Sequence, residues 1–385
     1  MKQGLFIRVI LVPLILSACL CGCQGVEVER TAIATGVAAD WEDGDYIVSV
    51  QLAKVATAEQ AASMEGPQFI VLNERGQTLT EAARRLNLTL PRLPRWFHAN
   101  TLLLGENLAQ QGLSSVIDFL SRNPKVRANS LLVMTRGATP PEVFQIDTPL
   151  EPFSAVAIRY ILENQEDQVG IYKPVTLAEF LYNVATPGID PVIPQVRIVS
   201  DNGKKLLTIE GTAVFRGTEW AGELNEAESR GFRFLSSERI RGGLLVIPAP
   251  GDETRDVTIE IISSQATVKP VWKEGELRMM VQITAEGNFY DQTSSKPLLN
   301  LDTFRLLEKL SAGQIEDEMK QAISKAQHYQ ADIFGWGRLL EREYPPIWSQ
   351  VEQDWPQIFS GLQADIQVDF ELRRTYLTDE SFVIR

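Results

Sequence analysis

Two textures of apolar spacing divide this chain. Up to about residue 185, short apolar runs alternate with segments of helical period, and beyond a cluster of prolines the spacing becomes mainly that of strands. Ala32 to Ala39 is an apolar run, and Tyr46, Val48, Val50 and Leu52 alternate after it. Asp43-Gly44-Asp45 stands between these segments, which predicts a β-hairpin. Thr78 or Thr80 can cap a helix reaching Leu88, with Glu81 in its first turn and Leu79, Ala82, Ala83 and Leu86 on one face. Leu102 to Leu104 and Ser130 to Met134 read as buried strands, and Asn107 to Gln111 and Ser114 to Leu120 as helices. Pro140 and Pro141 break this interleaved pattern, and helical spacing dominates from Pro149 to Tyr182.

Pro187-Gly188, followed by Pro191 and Pro194, is the strongest punctuation in the sequence. Past it, Val196 to Val199 and Leu206 to Phe215 flank Asp201-Asn202-Gly203, whose Asn-Gly accepts positive φ and predicts a second hairpin. Strands are expected at Leu244 to Pro248, Val257 to Ile262 and Leu277 to Ala285. A long helix from Asp302 to about Tyr329 carries Phe304, Leu307, Leu310, Ile315, Met319, Ala322 and Ile323 as its inward stripe. Gly313 is a candidate interruption, with Ser311 and Gln314 able to recap the second half. Ala364, Ile366, Val368, Phe370 and Leu372 alternate as a closing strand. The fold class is therefore α+β and mixed α/β, in more than one domain. A mixed α/β part covers 32–205, divisible between 187 and 205, and 206–385 forms an α+β domain with one long helix on a mainly antiparallel sheet.

The first apolar run has a different meaning. Lys2 and Arg8 precede Val9 to Leu16 and small residues follow, which is the layout of an export signal. It is too short to span a bilayer, since a spanning helix needs roughly 20 apolar residues. Leu16-Ser17-Ala18-Cys19 has the form read by a lipoprotein signal peptidase, so residues 1–18 are expected to be removed, Cys19 to carry lipid and 19–31 to act as a tether. Leu20-Cys21-Gly22-Cys23 is the alternative site, with Cys23 lipidated. All three cysteines of the chain lie in this window, so the body has neither a disulfide nor a cysteine ligand set. The net charge of −13 argues against nucleic acid and against general adhesion to anionic lipid. Acyl chains, at about 0.8 kcal/mol per buried methylene, then supply most of the membrane affinity.

Few residues can carry catalysis. His98 and His328 are the only histidines, and no zinc spacing exists in the body. Ser114-Ser115 and Ser236-Ser237 lack the flanking small residues of a nucleophile elbow. Gly242-Gly243 and Gly335-Trp336-Gly337 have no phosphate-loop lysine and read as turns or helix ends, and Gly251-Asp252-Glu253 lacks the alternating oxygens of a calcium loop. No cofactor is expected. The unusual local feature is the aromatic group Phe334, Trp336, Tyr344, Trp348, Trp355 and Phe359. It reads either as a satellite core under the end of the long helix or as a partner-docking surface, with Trp336, Trp348 and Trp355 as anchors. Arg373 and Arg374 face opposite sides of the last strand, so one of them, Arg374, is the candidate to join that surface, with Asp332 the carboxylate expected to pair with an arginine.

Several segments resemble the Ger(x)C family of spore germination lipoproteins. They include Ala32-Ile33-Ala34-Thr35-Gly36, Leu104-Gly105-Glu106, and Val116-Ile117-Asp118-Phe119-Leu120 before Val126-Arg127-Ala128-Asn129. In the second half they include Gly211-Thr212-Ala213-Val214-Phe215 and Gln327-His328-Tyr329-Gln330-Ala331-Asp332-Ile333-Phe334-Gly335-Trp336-Gly337. The resemblance covers nearly the whole chain. It implies the C subunit of a nutrient germinant receptor, lipid-anchored at the outer face of the spore's inner membrane beside an A subunit with membrane helices and a transporter-like B subunit. It brings no catalytic residue. By family alignment Cys23 is the lipidated position, although Gln24-Gly25 follows where Trp-Asp is common. The competing class is a solute-binding lipoprotein, which usually has two similar α/β lobes around a cleft; the strand-rich second half argues for the receptor subunit. Whether a small molecule binds directly stays open.

Overall fold

The computed structural model describes residues 30–54, 66–123, 125–236, 240–273, 275–298 and 300–375, with the side chains of the last two outside the description. The export signal, Cys19 and Cys23 therefore lie outside the described residues. The first hairpin forms as expected: β1 (Thr31–Glu42) and β2 (Asp45–Ala53) pair from Glu42↔Asp45 upward. Asp43 and Gly44 turn between them at φ of 53° and 93°, the left-handed conformation whose twist suits a two-residue hairpin. β3 (Phe69–Gly76) lines the far side of β2, and α1 (Leu79–Arg85) follows, with the Thr78 hydroxyl accepting from the Glu81 amide at 3.1 Å.

The chain then passes through β4 (Leu93–Arg95), β5 (Thr101–Leu104), α2 (Glu106–Gln111), α3 (Ser114–Arg122) and β6 (Leu131–Thr135). After these come α4 (Pro140–Phe144), α5 (Ser154–Gln168), α6 (Leu177–Ala185), β7 (Val192–Asp201), β8 (Lys204–Arg216) and β9 (Glu219–Leu224). The nine strands form one sheet in the order β3-β2-β1-β5-β6-β7-β8-β9, with β4 paired to β1. Its centre, β1-β5-β6-β7, is parallel and both flanks are antiparallel. Central strands covered on both faces should be continuously apolar, and all five residues of β6 are buried. Leu102, Leu104, Leu132 and Met134 meet α1, α2, α3 and α6 on one face; Leu103 and Val133 meet Val143, Phe144, Ala155 and Ile158 of α4 and α5 on the other. The expected division at 205 falls inside β8, one residue past its start and within its pairing to β7, so both sides of it share this sheet.

The second half begins with α7 (Glu226–Leu235), started by an Asn225 and Glu228 capping box. β10 (Leu244–Ala249), β11 (Asp252–Lys273) and β12 (Glu276–Gln292) form an antiparallel meander, and β13 (Gln363–Thr375) adds to β12 in parallel. Between β12 and β13 run α8 (Leu301–Tyr329), α9 (Trp336–Glu343), α10 (Pro345–Val351) and α11 (Trp355–Gly361). The fold class read from the sequence is the one observed. Gly313, however, does not interrupt α8, which runs unbroken for 29 residues, about 44 Å at 1.5 Å per residue. A glycine inside a helix costs about 1 kcal/mol, and the buried stripe Leu307, Ile315, Met319, Ala322 and Ala326 on both sides of it outweighs that. Helix α7 lies against α8 so closely that a Cβ on Gly231 would stand 2.0 Å from the Glu318 carbonyl oxygen, and the Arg230 Nε donates to the Glu318 carboxylate at 2.7 Å beside this contact. One apolar core runs from Ala32 in the first sheet to Leu372 in the last strand.

Candidate functional site

The aromatic segment after α8 folds back as a clamp between the two halves. Helix α8 ends on Gln330 in the left-handed region at φ 54°, which turns the chain by a residue type that tolerates αL poorly and so needs support. Two side chains of the last helical turn supply it. Gln327 Nε2 donates to the carbonyls of Phe359 and Leu362 at 3.1 and 2.6 Å, and the Tyr329 hydroxyl donates to the Glu223 carbonyl of β9 at 3.1 Å. Tyr329 fits because residue 222 is glycine: a Cβ there would lie 2.3 Å from the phenol ring.

Asp332 is the centre of the clamp. Its carboxylate accepts from the Trp336 amide at 3.1 Å, the Gly337 amide at 2.7 Å and the Trp355 indole Nε1 at 2.9 Å. Its backbone joins the loop after α6: the Asp332 amide donates to Asp190 Oδ2 at 2.8 Å, and the Asp190 amide donates to the Asp332 carbonyl at 2.8 Å. Asp190 in turn accepts from the Gly217 amide of the β8–β9 turn at 2.7 Å. Gly188 and Gly337 let these backbones touch, since a Cβ on Gly188 would meet the Arg338 nitrogen at 2.6 Å and one on Gly337 the Trp355 Nε1 at 2.6 Å. Burial pushes the Asp332 carboxyl up to about 7 against the pull of its three donors, and burial likewise raises Asp190. A carboxyl so enclosed, at 2% exposure, has no route to a substrate.

The sequence candidates take definite places here. Trp336, Trp348 and Trp355 are 0%, 4% and 4% exposed and pack with Phe334 and Phe359, edge to face or tilted at ring distances of 5.1 to 6.5 Å. Of the two readings of the aromatic group, the geometry is that of a core, with the three tryptophans buried inside it. The arginine expected on Asp332 is replaced by two backbone amides and an indole, because the buried carboxylate is reached by the turn that encloses it rather than by a long side chain. Arg373 pairs with Glu286 at 2.9 Å and Glu371 at 2.7 Å on the outer side of the second sheet, while the Arg374 side chain lies outside the description. His98 and His328 are exposed. Among the described residues no group of three or more His, Cys, Asp or Glu could hold a metal ion. Asp190 and Gly188 were missed as site residues; the Gly-Ile-Asp after Pro187 was their one sequence signal, read only as punctuation.

The chain as a whole has counterparts among known proteins. Residues 24–198 match the family model described as the spore germination protein N-terminal domain, and residues 210–376 match that of spore germination B3/GerAC like, C-terminal. The chain belongs to the Ger(x)C family of spore germination proteins. Spore germination protein KC of Bacillus subtilis (strain 168) is 23% identical to it over 375 residues, 91% of this chain and 91% of that protein. Spore germination protein B3 of the same organism is 25% identical over 374 residues, 92% and 94% of the two chains. The crystal structure of the GerBC protein superposes with a TM-score of 0.58 at 19% identity, covering 88% of this chain and 96% of that one, so the fold is shared. Among the described residues of this Ger(x)C protein no helix is long and apolar enough to cross a membrane.

Proposed function

We propose that this protein is the C subunit of a spore nutrient germinant receptor, acting through protein contacts rather than catalysis. The observation that carries this reading is the match of both family domains, in order, along nearly the whole body. In this reading residues 1–18 are a cleaved signal, lipid on Cys19, or on Cys23 as the alternative, holds the body at the outer face of the spore's inner membrane, and 19–31 is the tether. An A subunit with membrane helices and a transporter-like B subunit are its partners. The residues typical of the family in the second half, Gln327, Tyr329, Asp332, Gly335, Trp336 and Gly337, serve the clamp, which supports a role in shape and contact instead of chemistry. Trp336, Trp348 and Trp355 then act on docking indirectly, by holding the surface of α9 to α11 from beneath.

Co-purification from solubilised membranes tests this directly. A and B subunits should be recovered with the wild-type chain and lost with folded variants of exposed α9–α11 residues such as Glu341 and Arg342. Recovery of neither partner with the wild type would defeat the assignment. Calorimetric titration with germinant amino acids addresses the solute-binding alternative, for which micromolar affinity would be required. The mass of the processed N-terminal peptide decides between Cys19 and Cys23.

A further inference from the structure

On the face of the first sheet covered by α1 and α3, the cover is incomplete. A groove of about 1350 Å³ opens there, beyond the roughly 300–1,000 Å³ of an ordinary small-molecule cleft. Its floor and walls are apolar: Val48, Leu79, Leu102, Phe97 and Phe119 line it, with the half-exposed Leu93 at its edge. The ionic groups around it run against the charge of the molecule. Arg84, Arg95, Arg122 and Lys125 line the groove against the single carboxylate of Asp118, which is already paired with Arg122 at 2.7 Å. A chain of net charge −13 thus gathers an excess of cations at the border of a wide apolar opening. The Arg95 guanidinium lies over the Phe97 ring at 5.8 Å, so that cation stands next to the apolar wall instead of reaching away from it.

The place of the groove in the chain is the second observation. Its wall at Leu93–Arg95 pairs in parallel with Thr31–Ile33, the first strand residues of the body. Thr31 follows Cys19 by twelve residues and Cys23 by eight, a reach of at most about 42 Å or about 28 Å when fully extended. Charges on a headgroup are felt only within a Debye length of about 8 Å, so a basic border is useful only where a short tether lets the body settle onto the bilayer surface. Apolar lining, cationic border and nearness to the anchor call for one amphiphile.

We propose that the groove is a lipid site that takes the acyl chain of an anionic phospholipid while Arg84, Arg95 and Lys125 hold its phosphate. The inference rests on the anchored reading above, and it turns the tether from a leash into one of two membrane contacts. The low overall attraction to anionic lipid expected from net charge then applies to the rest of the surface and not to this border.

Full-length lipidated protein in phosphatidylcholine vesicles, doped with photoactivatable phosphatidylglycerol or phosphatidylcholine bearing the diazirine on an acyl chain, tests this. Peptides 79–98 and 114–126 should be labelled by phosphatidylglycerol and far less by phosphatidylcholine. The Arg84→Gln/Arg95→Gln double variant should lose about thirtyfold in labelling, at roughly a factor of five per basic group near a headgroup. Arg84→Gln/Lys125→Gln, both at exposed positions, should show a similar loss if the first pair disturbs the fold. Equal labelling by the two lipids, labelling confined to residues 24–31, or no change in either variant would overturn the proposal, as would full displacement by soluble glycerol phosphate, which would mark a headgroup site without an acyl chain. Repeating the labelling in detergent micelles separates the two readings. Groove labelling there, with an N-terminal peptide free of diacylglycerol, would defeat the anchor and keep the lipid site; an intact anchor with an unlabelled groove would do the reverse.

Discussion

Replacing Asp332 with asparagine removes one titrating group from the clamp and should change how stability depends on pH. The carboxyl sits at about 7 in the folded protein, raised by burial, against an ordinary value of 3.8. Between these values the folded state holds a proton that the unfolded chain has lost, so stability must fall as pH rises through this window and level off above about 7. Each unit of separation is worth about 1.36 kcal/mol, so raising the pH from about 5 to about 8 should cost the wild type on the order of 3 kcal/mol from this group. The asparagine variant lacks that term, and background titrations shared by both proteins cancel in the difference. Urea unfolding of the two proteins across this range provides the assay. The wild type should lead by most at the acid end, and its lead should shrink by about 3 kcal/mol toward the alkaline end. A lead that grows with pH would mean that the Trp336, Gly337 and Trp355 donors win over burial and that the carboxyl is ionised throughout, which refutes the reasoning.

The clamp and helix α8 lead to further expectations. Trp355→Phe takes the indole donor from Asp332 and should cost about 1–3 kcal/mol, whereas Trp336→Phe, whose buried Nε1 has no partner among the described residues, should cost less, as read by chemical unfolding. Gly188→Ala puts a methyl 2.6 Å from the Arg338 nitrogen at φ 74°; hydrogen exchange should show faster opening of α9 and of the loop before β7, and unchanged protection there would contradict the clamp. Gly313→Ala meets nothing within 4 Å inside an unbroken helix and should raise stability by about 1 kcal/mol, detectable as a higher thermal midpoint.

What was legible in the sequence was whatever is settled locally. Both hairpins were, because Asp43-Gly44 and Asn202-Gly203 carry the positive φ of their turns in their own residue types. The central strands and α8 were, because their apolar period is long or unbroken. Strand β11 was read as six residues where there are 22: a register shift between Ile261 and Ser263 moves the buried positions from Val257, Ile259 and Ile261 to Ser264 and Ala266, which breaks the alternation. Helices α10 and α11 were hidden by prolines that start them instead of ending anything, and α7 was passed over although Asn225 and Glu228 already spelled a capping box. In the clamp, the residues from 327 to 337 stood out, but their partners Gly188 and Asp190 lie more than a hundred residues away, a contact no local pattern encodes. The groove was invisible for the same reason: its cations come from three separate segments, and only the sheet brings them together.

The position of β13 sets the order in which the molecule can be completed. It is the last described strand, yet it lies in parallel beside β12 and supplies Phe370 and Leu372 to the core that α8 also fills. A chain that emerges N-terminus first can assemble the nine-stranded sheet while the second is still three strands wide. The body closes only when β13 arrives, so trimming even this one strand should leave a product with an open core, exposed to proteolysis.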